Sequence, residues 1–271
     1  ASGTLSGLTR VRQFCQDDAH IFLPEDMIAE EIGRVIKMVR RIYETIGMEF
    51  AHVFLSTRPE KAMGTKEQWD HAEESLKVAI EANALDYKVN EGDGAFYGPK
   101  IDFIVRDCLR REWQVATVQL DYQLPARFGL HYTAADGTEK QPVVVHRALY
   151  GSFERFIAII IEHFAGAFPT WLAPEQVRVL SISEKYIDYA KEVGDALRRD
   201  GVRAEDDLRD DKIGAKIREA QLDKVPYMLV VGEKEQENQA VSVRSREKGD
   251  EGSVPLDEFR KRIGVEKMKS F

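Results

Sequence analysis

The sequence predicts two successive domains: an α+β domain with an antiparallel sheet over residues 1–170, and an α/β domain with a mostly parallel sheet over residues 171–271. Three observations support this prediction. At about 150 residues per domain, the 271 residues suffice for two domains. Strand-like segments follow one another in the first part, whereas strands and helices alternate in the second part. Residues 168–174, which include two prolines, mark a connector between the parts.

The first part contains three predicted helices. Residues 24–46 place their apolar side chains on one stripe, with Pro24 in the first turn, which is typical of an amphipathic helix. Thr65 and Gln68 have the spacing of a capping box, so a second helix is predicted to begin at Thr65. Residues 152–165 are almost entirely apolar, and this composition predicts a buried helix.

The predicted strands of the first part lie on both sides of a glycine-rich hinge at residues 91–100. They are residues 51–55, 101–105, 113–122 and 142–145. Asp136-Gly137 predicts a hairpin turn before the last of them. In the second part, the predicted order is strand 177–182, helix 184–199, strand 202–206, helix 212–223, strands 227–231 and 240–244, and helix 256–263.

Composition excludes several classes of protein. The 39 basic and 47 acidic residues give a net charge of −8, which argues against a general nucleic-acid binder. Any contacts with nucleic acid would have to be few and specific. The longest apolar run, residues 156–161, is far shorter than the about 20 residues that span a bilayer, so no membrane partner is expected. The two cysteines exclude a disulfide framework and favour the reducing cytoplasm.

Residues 10–20 carry the most informative polar pattern of the chain. If they form a strand, the residues on one face are Arg10, Arg12, Phe14, Gln16, Asp18 and His20. Guanidinium groups and an aromatic ring suit a polyphosphate ligand that carries a ring, and the other side chains suit a small polar ligand. A solvated strand face with ion pairs would use the same residues, and the pattern alone leaves both interpretations open.

Three further positions are candidates for chemistry. His146 follows a predicted strand, and with His20 it could supply two of the three protein ligands of an open zinc site. No third ligand stands out, and a hydrogen-bonded structural histidine is the commoner outcome at such a position. Residues 151–155 open a predicted helix, whose N-terminus attracts anions, although a plain helix start has the same pattern. Tyr97 and Lys100 close the hinge, which is either a flexible loop or a lid that brings a phenol and an ammonium to a ligand.

The order of these motifs is more specific than any one of them. Residues 7–22 resemble the second half of motif 2 of the class II aminoacyl-tRNA synthetases, in the form found in threonyl-tRNA synthetases. The later segments that agree with this family are residues 55–61, 94–100, 117–121, 146–148, 151–155 (motif 3) and 168–174. Residues 207–219 resemble the anticodon-binding domain of the same family. The resemblance covers essentially the whole chain and implies an incomplete class II catalytic core followed by an anticodon-binding domain.

The resemblance implies a role for each matching residue. Those that would contact ATP are Arg10, Val11, Phe14, Gln114, Thr117, Ser152 and Arg155. Those that would line the threonine pocket are Gln16, Asp18, Tyr97 and Gln119, with Asp18 accepting the hydroxyl of threonine. Arg10, Lys100 and Arg155 would be catalytic, because they would neutralise charge while the threonine carboxylate attacks the α-phosphorus. The residues that would contact the tRNA anticodon are Asp210, Glu235 and Arg244.

The cofactors that the resemblance implies are Zn²⁺, held by His20 and His146, and Mg²⁺ bound with ATP. The third zinc ligand, a cysteine, and part of the ATP site are expected upstream of residue 1, so the chain alone is expected to be inactive. The implied partners are ATP, threonine and tRNA-Thr, with a homodimer for the complete enzyme. Ala116 stands where the family usually has glycine and is expected to narrow the pocket slightly. Asp210 stands where asparagine is common, which weakens the anticodon assignment there.

Two alternatives remain open. A non-catalytic RNA-binding or regulatory protein could retain a synthetase-like body, but the five polar residues Arg10, Asp18, His20, His146 and Arg155 are all intact. A sister class II synthetase, for proline, serine, glycine or histidine, would have no use for a zinc pocket that recognises the threonine hydroxyl. The sequence therefore favours a threonine–tRNA ligase.

Overall fold

The structure is a computed structural model that describes residues 3–267. The chain forms two compact units, of which the first ends at His163 and the second begins at Phe164. The sequence places the domain boundary slightly later, after residue 170. The outer ends of the two predicted domains, residues 1–2 and 268–271, lie outside the described residues. Over the described range, no helix combines the length and the apolar character that crossing a membrane requires.

A six-stranded sheet is the centre of the first unit. Its strands are β1 (Ala19–Leu23), β2 (Phe50–Ser56), β3 (Lys88–Asn90), β4 (Lys100–Arg106), β5 (Glu112–Asp121) and β8 (Val143–Ala148). Their spatial order is β1-β8-β5-β4-β2-β3, and all neighbours are antiparallel except β2 and β3. The predicted antiparallel sheet is therefore confirmed. A separate hairpin of β6 (Tyr132–Thr133) and β7 (Glu139–Lys140) turns at Asp136-Gly137, as predicted.

The helices of the first unit are α1 (Ile28–Thr45), α2 (Lys66–Ala82), α3 (Gln123–Arg127) and α4 (Phe153–His163). A single 3₁₀ turn, Glu25–Met27, precedes α1, which buries one apolar stripe as its sequence predicts. The capping box of α2 is confirmed, because the Thr65 hydroxyl accepts the Gln68 N–H while the Gln68 amide oxygen accepts the Thr65 N–H. The short helix α3 has no counterpart among the predicted elements.

The prediction of a buried helix over residues 152–165 is wrong for one face of the helix. The buried apolar side chains of α4 are Phe156, Ile159 and Ile160. Phe153, Ile157 and Ile161 lie four residues apart on another face and are 38%, 43% and 41% exposed. Apolar composition indicates that a helix can be buried. It does not determine how many of its faces are covered by neighbouring elements.

The second unit is also built on a single sheet. Its strands are β9 (Val177–Ser181), β10 (Ala204–Asp207), β11 (Tyr227–Val231), β12 (Ala240–Ser245) and β13 (Gly249–Pro255). Its helices are α5 (Ile187–Arg199), α6 (Ile213–Leu222), α7 (Glu233–Glu237) and α8 (Leu256–Lys267). In the order β10-β9-β11-β12-β13, strand β9 is parallel to both of its neighbours, which confirms the predicted parallel arrangement. Strands β12 and β13 extend the sheet as an antiparallel pair, and β13 and α7 are absent from the prediction.

Candidate active site

A cavity of about 640 Å³ in the first unit collects side chains from four separate stretches of the chain. This volume is within the range of small-molecule sites. The predicted site residues that line it are Arg10, Val11, Phe14, Gln16, Asp18, His20, Tyr97, Gln114, Thr117, Gln119, His146, Ser152 and Arg155. Among the residues predicted for this unit, Lys100 does not line the cavity. The structure therefore brings nearly all of the predicted site residues together.

Three neighbouring strands position the two histidines. His20 on β1 lies directly opposite His146 on β8, and His146 lies opposite Gln119 on β5. Directly opposite residues of antiparallel strands point to the same face of the sheet. The two imidazole rings are nearly perpendicular, and their centroids are 4.5 Å apart. Two histidines that are distant in the sequence thus share one site.

Asp121 at the end of β5 fixes His146. Its Oδ2 lies 2.9 Å from Nε2 of His146, while its Oδ1 accepts the N–H groups of Gln123 and Leu124 at 2.7 and 3.0 Å. The carboxyl side chain has no exposed surface. A buried carboxylate in this position sets the orientation of an imidazole and leaves the second ring nitrogen for a ligand.

The histidine pair fits part of a zinc site. Imidazole nitrogens are common zinc donors, and a carboxylate partner on one ring is typical of histidines that bind metal. Among residues 3–267, no group of three or more His, Cys, Asp or Glu side chains is arranged to hold a metal ion. Cys15 and Cys108 are both exposed, and neither lines the cavity. The described residues thus bring two imidazole donors together at the cavity.

The glycine-rich hinge contributes Tyr97 to the cavity. The Tyr97 hydroxyl donates a hydrogen bond to Oε1 of Gln119, and its ring centroid lies 5.3 Å from that of His146. Burial, together with the nearby carboxylates of Asp121 and Asp18, raises the pKa of Tyr97, so the phenol stays a protonated donor. A Cβ at the next residue, Gly98, would lie 1.8 Å from the Leu120 carbonyl oxygen, so only glycine allows this contact with β5.

The segment before β1 is only partly extended. Alternate residues Phe14, Gln16, Asp18 and His20 line the cavity, as predicted. Arg12 does not line the cavity, because the chain bends at residues 12–13 after a tight turn that pairs Ser6 with Arg10. The predicted single face over residues 10–20 is therefore wrong for Arg12. Phe14 is 54% exposed, so it is accessible to a ligand.

The start of α4 is joined to the segment before β1 by reciprocal hydrogen bonds. The Phe153 N–H donates to the Cys15 carbonyl at 2.9 Å, and the Cys15 N–H donates to the Glu154 carboxylate at 3.2 Å. Ser152 caps the helix by accepting the Arg155 N–H. Arg155 donates from Nε to the Thr9 carbonyl at 3.0 Å, with its guanidinium over the Trp113 ring. These contacts place Arg155 and Ser152 at the same cavity as the preceding segment.

Lys100 lies outside the cavity. Its ammonium is 3.0 Å from Oδ2 of Asp102 and 3.3 Å from Oδ2 of Asp93. Burial opposes the charge of this lysine, but the two carboxylates hold the pKa of Lys100 above its usual value. The catalytic role expected for Lys100 stays a prediction, and the structure shows its ammonium paired with the two carboxylates. Ala116, expected to narrow the pocket slightly, is fully buried and is not among the residues that line the cavity.

Three carboxylates of the site are absent from the residues predicted by sequence. Asp121 holds His146, and Asp102 holds Gln114 and Thr117. Asp17 accepts the N–H groups of residues 149 and 150 and pairs with Arg147. Each of these three carboxylates either follows or precedes a residue that lines the cavity, or lies in a strand beside the cavity. The available signal was an acidic residue in or beside a largely apolar strand, where a carboxylate needs partners.

The structure does not bring the three predicted anticodon residues together. Asp210 and Glu235 follow the C-terminal ends of β10 and β11, whereas Arg244 pairs with Met228 near the beginning of β11. Asp210 is exposed, Glu235 accepts the Gly232 N–H at the start of α7, and Arg244 pairs with Asp250 at 3.4 Å. Over residues 3–267, no hydrogen bond or ion pair joins any two of the three. They remain a prediction from the family resemblance.

Comparison with protein families defines the class. Residues 1–164 match the model described as tRNA synthetase class II core domain (G, H, P, S and T), and residues 176–266 match the model described as anticodon binding domain. A structure of the RNA binding domain of threonyl-tRNA synthetase from Cryptosporidium parvum Iowa II has a TM-score of 0.93 and 45% identity, covering 98% of this chain and 67% of that one. A putative threonyl-tRNA synthetase ThrRS-1 from Aeropyrum pernix has a TM-score of 0.75 and 27% identity, covering 99% and 68%.

Curated relatives narrow the class. The threonine–tRNA ligase of Acetivibrio thermocellus is 56% identical over 269 residues, which is 99% of this chain and 42% of that protein. The threonine–tRNA ligase of Clostridium tetani is 55% identical over 98% of this chain and 41% of that protein. The chain thus spans about two fifths of the length of these relatives. It belongs to the threonyl-tRNA synthetase family of the class II aminoacyl-tRNA synthetases.

Proposed function

We propose that the protein containing this chain is a threonine–tRNA ligase, which activates threonine with ATP and transfers it to tRNA-Thr. The observation that carries this proposal is the convergence of the family's ATP and threonine residues on one cavity from four stretches of chain. The family resemblance assigns the two substrates to that cavity. Because the relatives are longer, the activity is proposed for the whole protein.

One side of the cavity suits a nucleotide. Arg10 and Arg155 would bind phosphate oxygens through their guanidinium groups, and the exposed ring of Phe14 would stack on the adenine. In the activation step, the threonine carboxylate attacks the α-phosphorus and pyrophosphate leaves. The arginines, with Mg²⁺ carried by ATP, would offset the charge that develops on the phosphate oxygens. Lys100 could join them only by leaving Asp93 and Asp102.

The other side suits a small amino acid. Gln16, Asp18, Tyr97 and Gln119 would surround threonine, with Asp18 accepting its hydroxyl. His20 and His146 would hold Zn²⁺ with a third donor from outside this chain, and the bound metal would supply coordination to the amine and hydroxyl of the substrate. Valine lacks that hydroxyl and would be rejected, whereas serine differs by a methyl group worth only about 1–3 kcal/mol. Zinc content measured in His20→Ala and His146→Ala variants tests the donor pair without any activity assay.

The second unit would contact the anticodon of tRNA-Thr, as its family match suggests. We further propose a homodimer for the whole protein, located in the cytoplasm, on the family resemblance alone. Size measurement of the whole protein in solution tests the dimer.

Amino-acid-dependent exchange of pyrophosphate into ATP tests the proposed function. The full-length protein is expected to exchange with threonine and weakly with serine, and not with proline, glycine, histidine or valine. Exchange driven by proline, glycine or histidine would replace the proposal with a sister synthetase. No exchange with any amino acid, combined with tRNA binding, would favour a regulatory protein instead. The 271-residue chain alone is expected to be inactive in the same assay.

A further inference from the structure

Asp102 is a buried carboxylate that touches the proposed nucleotide site without lining the cavity. It lies on β4 between Ile101 and Phe103, and it is 3% exposed. Its Oδ1 accepts hydrogen bonds from Nε2 of Gln114 at 2.6 Å and from Oγ1 of Thr117 at 3.0 Å. Four donors converge on this one carboxylate, because its Oδ2 is 3.1 Å from the Ser56 hydroxyl and 3.0 Å from the Lys100 ammonium.

The two oxygens of Asp102 serve different neighbours. Oδ1 faces Gln114 and Thr117, which both line the cavity, while Oδ2 faces Ser56 and Lys100, which do not. An ionised carboxylate accepts hydrogen bonds and cannot donate them. Asp102 therefore determines which atoms its neighbours must turn towards it and which atoms they keep for a ligand.

The consequence for Gln114 and Thr117 is a defined polarity. The Gln114 NH₂ group is directed to Asp102 and to the Thr117 oxygen, at 2.6 and 2.8 Å, which leaves the amide oxygen for other partners. The only proton of the Thr117 hydroxyl is directed to Asp102, which leaves an oxygen lone pair. Both residues are thereby set as hydrogen-bond acceptors towards the cavity.

We infer that Asp102 is a positioning residue that makes Gln114 and Thr117 acceptors for the ribose hydroxyl groups of ATP. The inference rests on the proposed function, because it takes ATP as the nucleotide and these two residues as part of its site. Ribose hydroxyls can donate hydrogen bonds, and a donor that is taken out of water requires an acceptor. The Lys100 ammonium on Oδ2 balances the buried charge of Asp102.

Substitution of Asp102 by asparagine is the matched change, because it preserves size and removes one acceptor oxygen. The Lys100 ammonium requires an oxygen, so the new NH₂ group is expected to face Gln114 and Thr117. Their polarity would then be reversed. If Asp102 has only a structural role, Asp102→Asn is expected to weaken the binding of all nucleotides alike. If it sets the polarity of Gln114 and Thr117, the substitution is expected to change the preference for nucleotides that carry both ribose hydroxyls.

The experiment compares ATP with 2′-deoxy-ATP and 3′-deoxy-ATP in threonine-dependent pyrophosphate exchange by the full-length protein. The wild type is expected to prefer ATP over at least one analogue by about tenfold or more in kcat/KM, as sites built around a substrate hydroxyl do. Asp102→Asn is expected to reduce this preference to within about threefold. Ser56→Ala removes a donor to Oδ2 of Asp102 and to Asp93 but leaves the contacts of Oδ1, and it is expected to keep the wild-type preference. Thermal unfolding of each variant is measured alongside.

Thr117→Val provides an independent measurement if Asp102→Asn does not fold. It is expected to reduce the preference, because the acceptor oxygen of Thr117 is lost while Asp102 still orients Gln114. A wild-type preference retained in Asp102→Asn or in Thr117→Val would overturn the inference. Calorimetric titration with ATP, 2′-deoxy-ATP and 3′-deoxy-ATP measures binding without catalysis. It therefore separates the inference about Asp102 from the proposed ligase function. Absence of exchange would overturn the proposed function, while the binding preference would still test Asp102.

Discussion

One buried carboxylate, Asp107, links the stability of the first unit to pH. Asp107 has no exposed side-chain surface and accepts hydrogen bonds from the N–H groups of Leu109 and Arg111, the Arg111 guanidinium and the Trp113 indole. Burial opposes its charge, but the bonds from Trp113 and Arg111 hold the pKa of Asp107 below its usual value. The carboxylate therefore stabilises the fold above the pKa of the unfolded chain, about 4, and this contribution disappears as pH falls through the lower folded value.

Asp107→Asn is expected to lower the free energy of unfolding at pH 7 by about 1–3 kcal/mol, because donors lose a charged acceptor. The difference from the wild type is expected to shrink as pH falls from 5 to 3. Thermal unfolding at a series of pH values measures this. Asp70→Asn is the control, since its ion pair with Lys66 is exposed. A deficit in Asp107→Asn that stays constant down to pH 3 would contradict the argument.

The contribution of Asp121 to zinc affinity can be measured without an activity assay. Asp121→Asn keeps the shape but weakens the 2.9 Å contact with Nε2 of His146. Loss of such a partner costs about 10–100-fold in metal affinity. We therefore expect zinc to transfer more readily from the full-length variant to a competing chelator. Asp70→Asn again serves as the control, and equal zinc affinity in both variants would argue against His146 as a ligand.

At the scale of elements, the junction between β5 and α4 depends on one glycine. Gly151 has a φ of +69°, and a Cβ there would lie 2.8 Å from the Val115 carbonyl oxygen. Gly151→Ala must therefore move the start of α4, which carries Ser152 and Arg155. We expect the KM for ATP of the full-length protein to rise about tenfold, with stability reduced by about 1–2 kcal/mol for the strained backbone alone.

Gly137→Ala is the matched control for this prediction. Its φ is +80°, but no atom lies within 4 Å of the added Cβ. It therefore introduces the backbone strain without the close contact. We expect Gly137→Ala to lose stability through backbone strain alone and to keep the wild-type KM for ATP, which would attribute the raised KM of Gly151→Ala to the position of α4. An unchanged KM in Gly151→Ala would show that α4 tolerates the shift.

Elements with local signals could be predicted from the sequence, and those that depend on distant partners could not. The capping box at Thr65 and the turn at Asp136-Gly137 are encoded within a few residues, and both are confirmed. Strand β13 consists of Gly249–Pro255 with mostly polar side chains, so it is a strand only because β12 is beside it. One apolar face of α4 is exposed, and this exposure likewise depends on which elements pack against the helix.

The same distinction holds for the site. The family resemblance names most residues of the cavity, because motifs preserve chemistry at fixed positions. It does not name Asp102 or Asp121, whose roles arise from the pairing of β4 with β5 and of β5 with β8. The position of Lys100 against two carboxylates could not be inferred either, since residues 93, 100 and 102 are close in the sequence without any pattern that indicates ion pairing.

At the scale of the whole molecule, acidic residues outnumber basic ones, and several arginines are held by carboxylates. The net charge is −8, and in the second unit Arg209 is bound by Asp207 and Glu219, both at 2.7 Å. Arg178 is likewise bound by Glu175 and Asp223 at 2.6 and 2.9 Å. Guanidinium groups committed to carboxylates contribute little to a phosphate backbone. Recognition of an anticodon by the second unit would then depend on hydrogen bonds to unstacked bases.

This pairing predicts a weak salt dependence for binding of tRNA-Thr to the 271-residue chain. Each phosphate neutralised on a single strand adds about 0.7 to the slope of log K against log salt concentration. Because the net charge is −8 and Arg178 and Arg209 are already held by carboxylates, we expect a slope no steeper than about −3, measured by titration between 50 and 200 mM salt. Glu219→Gln releases one carboxylate from Arg209 and is expected to steepen the slope by up to about one phosphate contact. A wild-type slope of −6 or steeper would mean that many lysine and arginine side chains bind phosphates of the tRNA backbone. Contacts with the bases would then not be the main source of affinity.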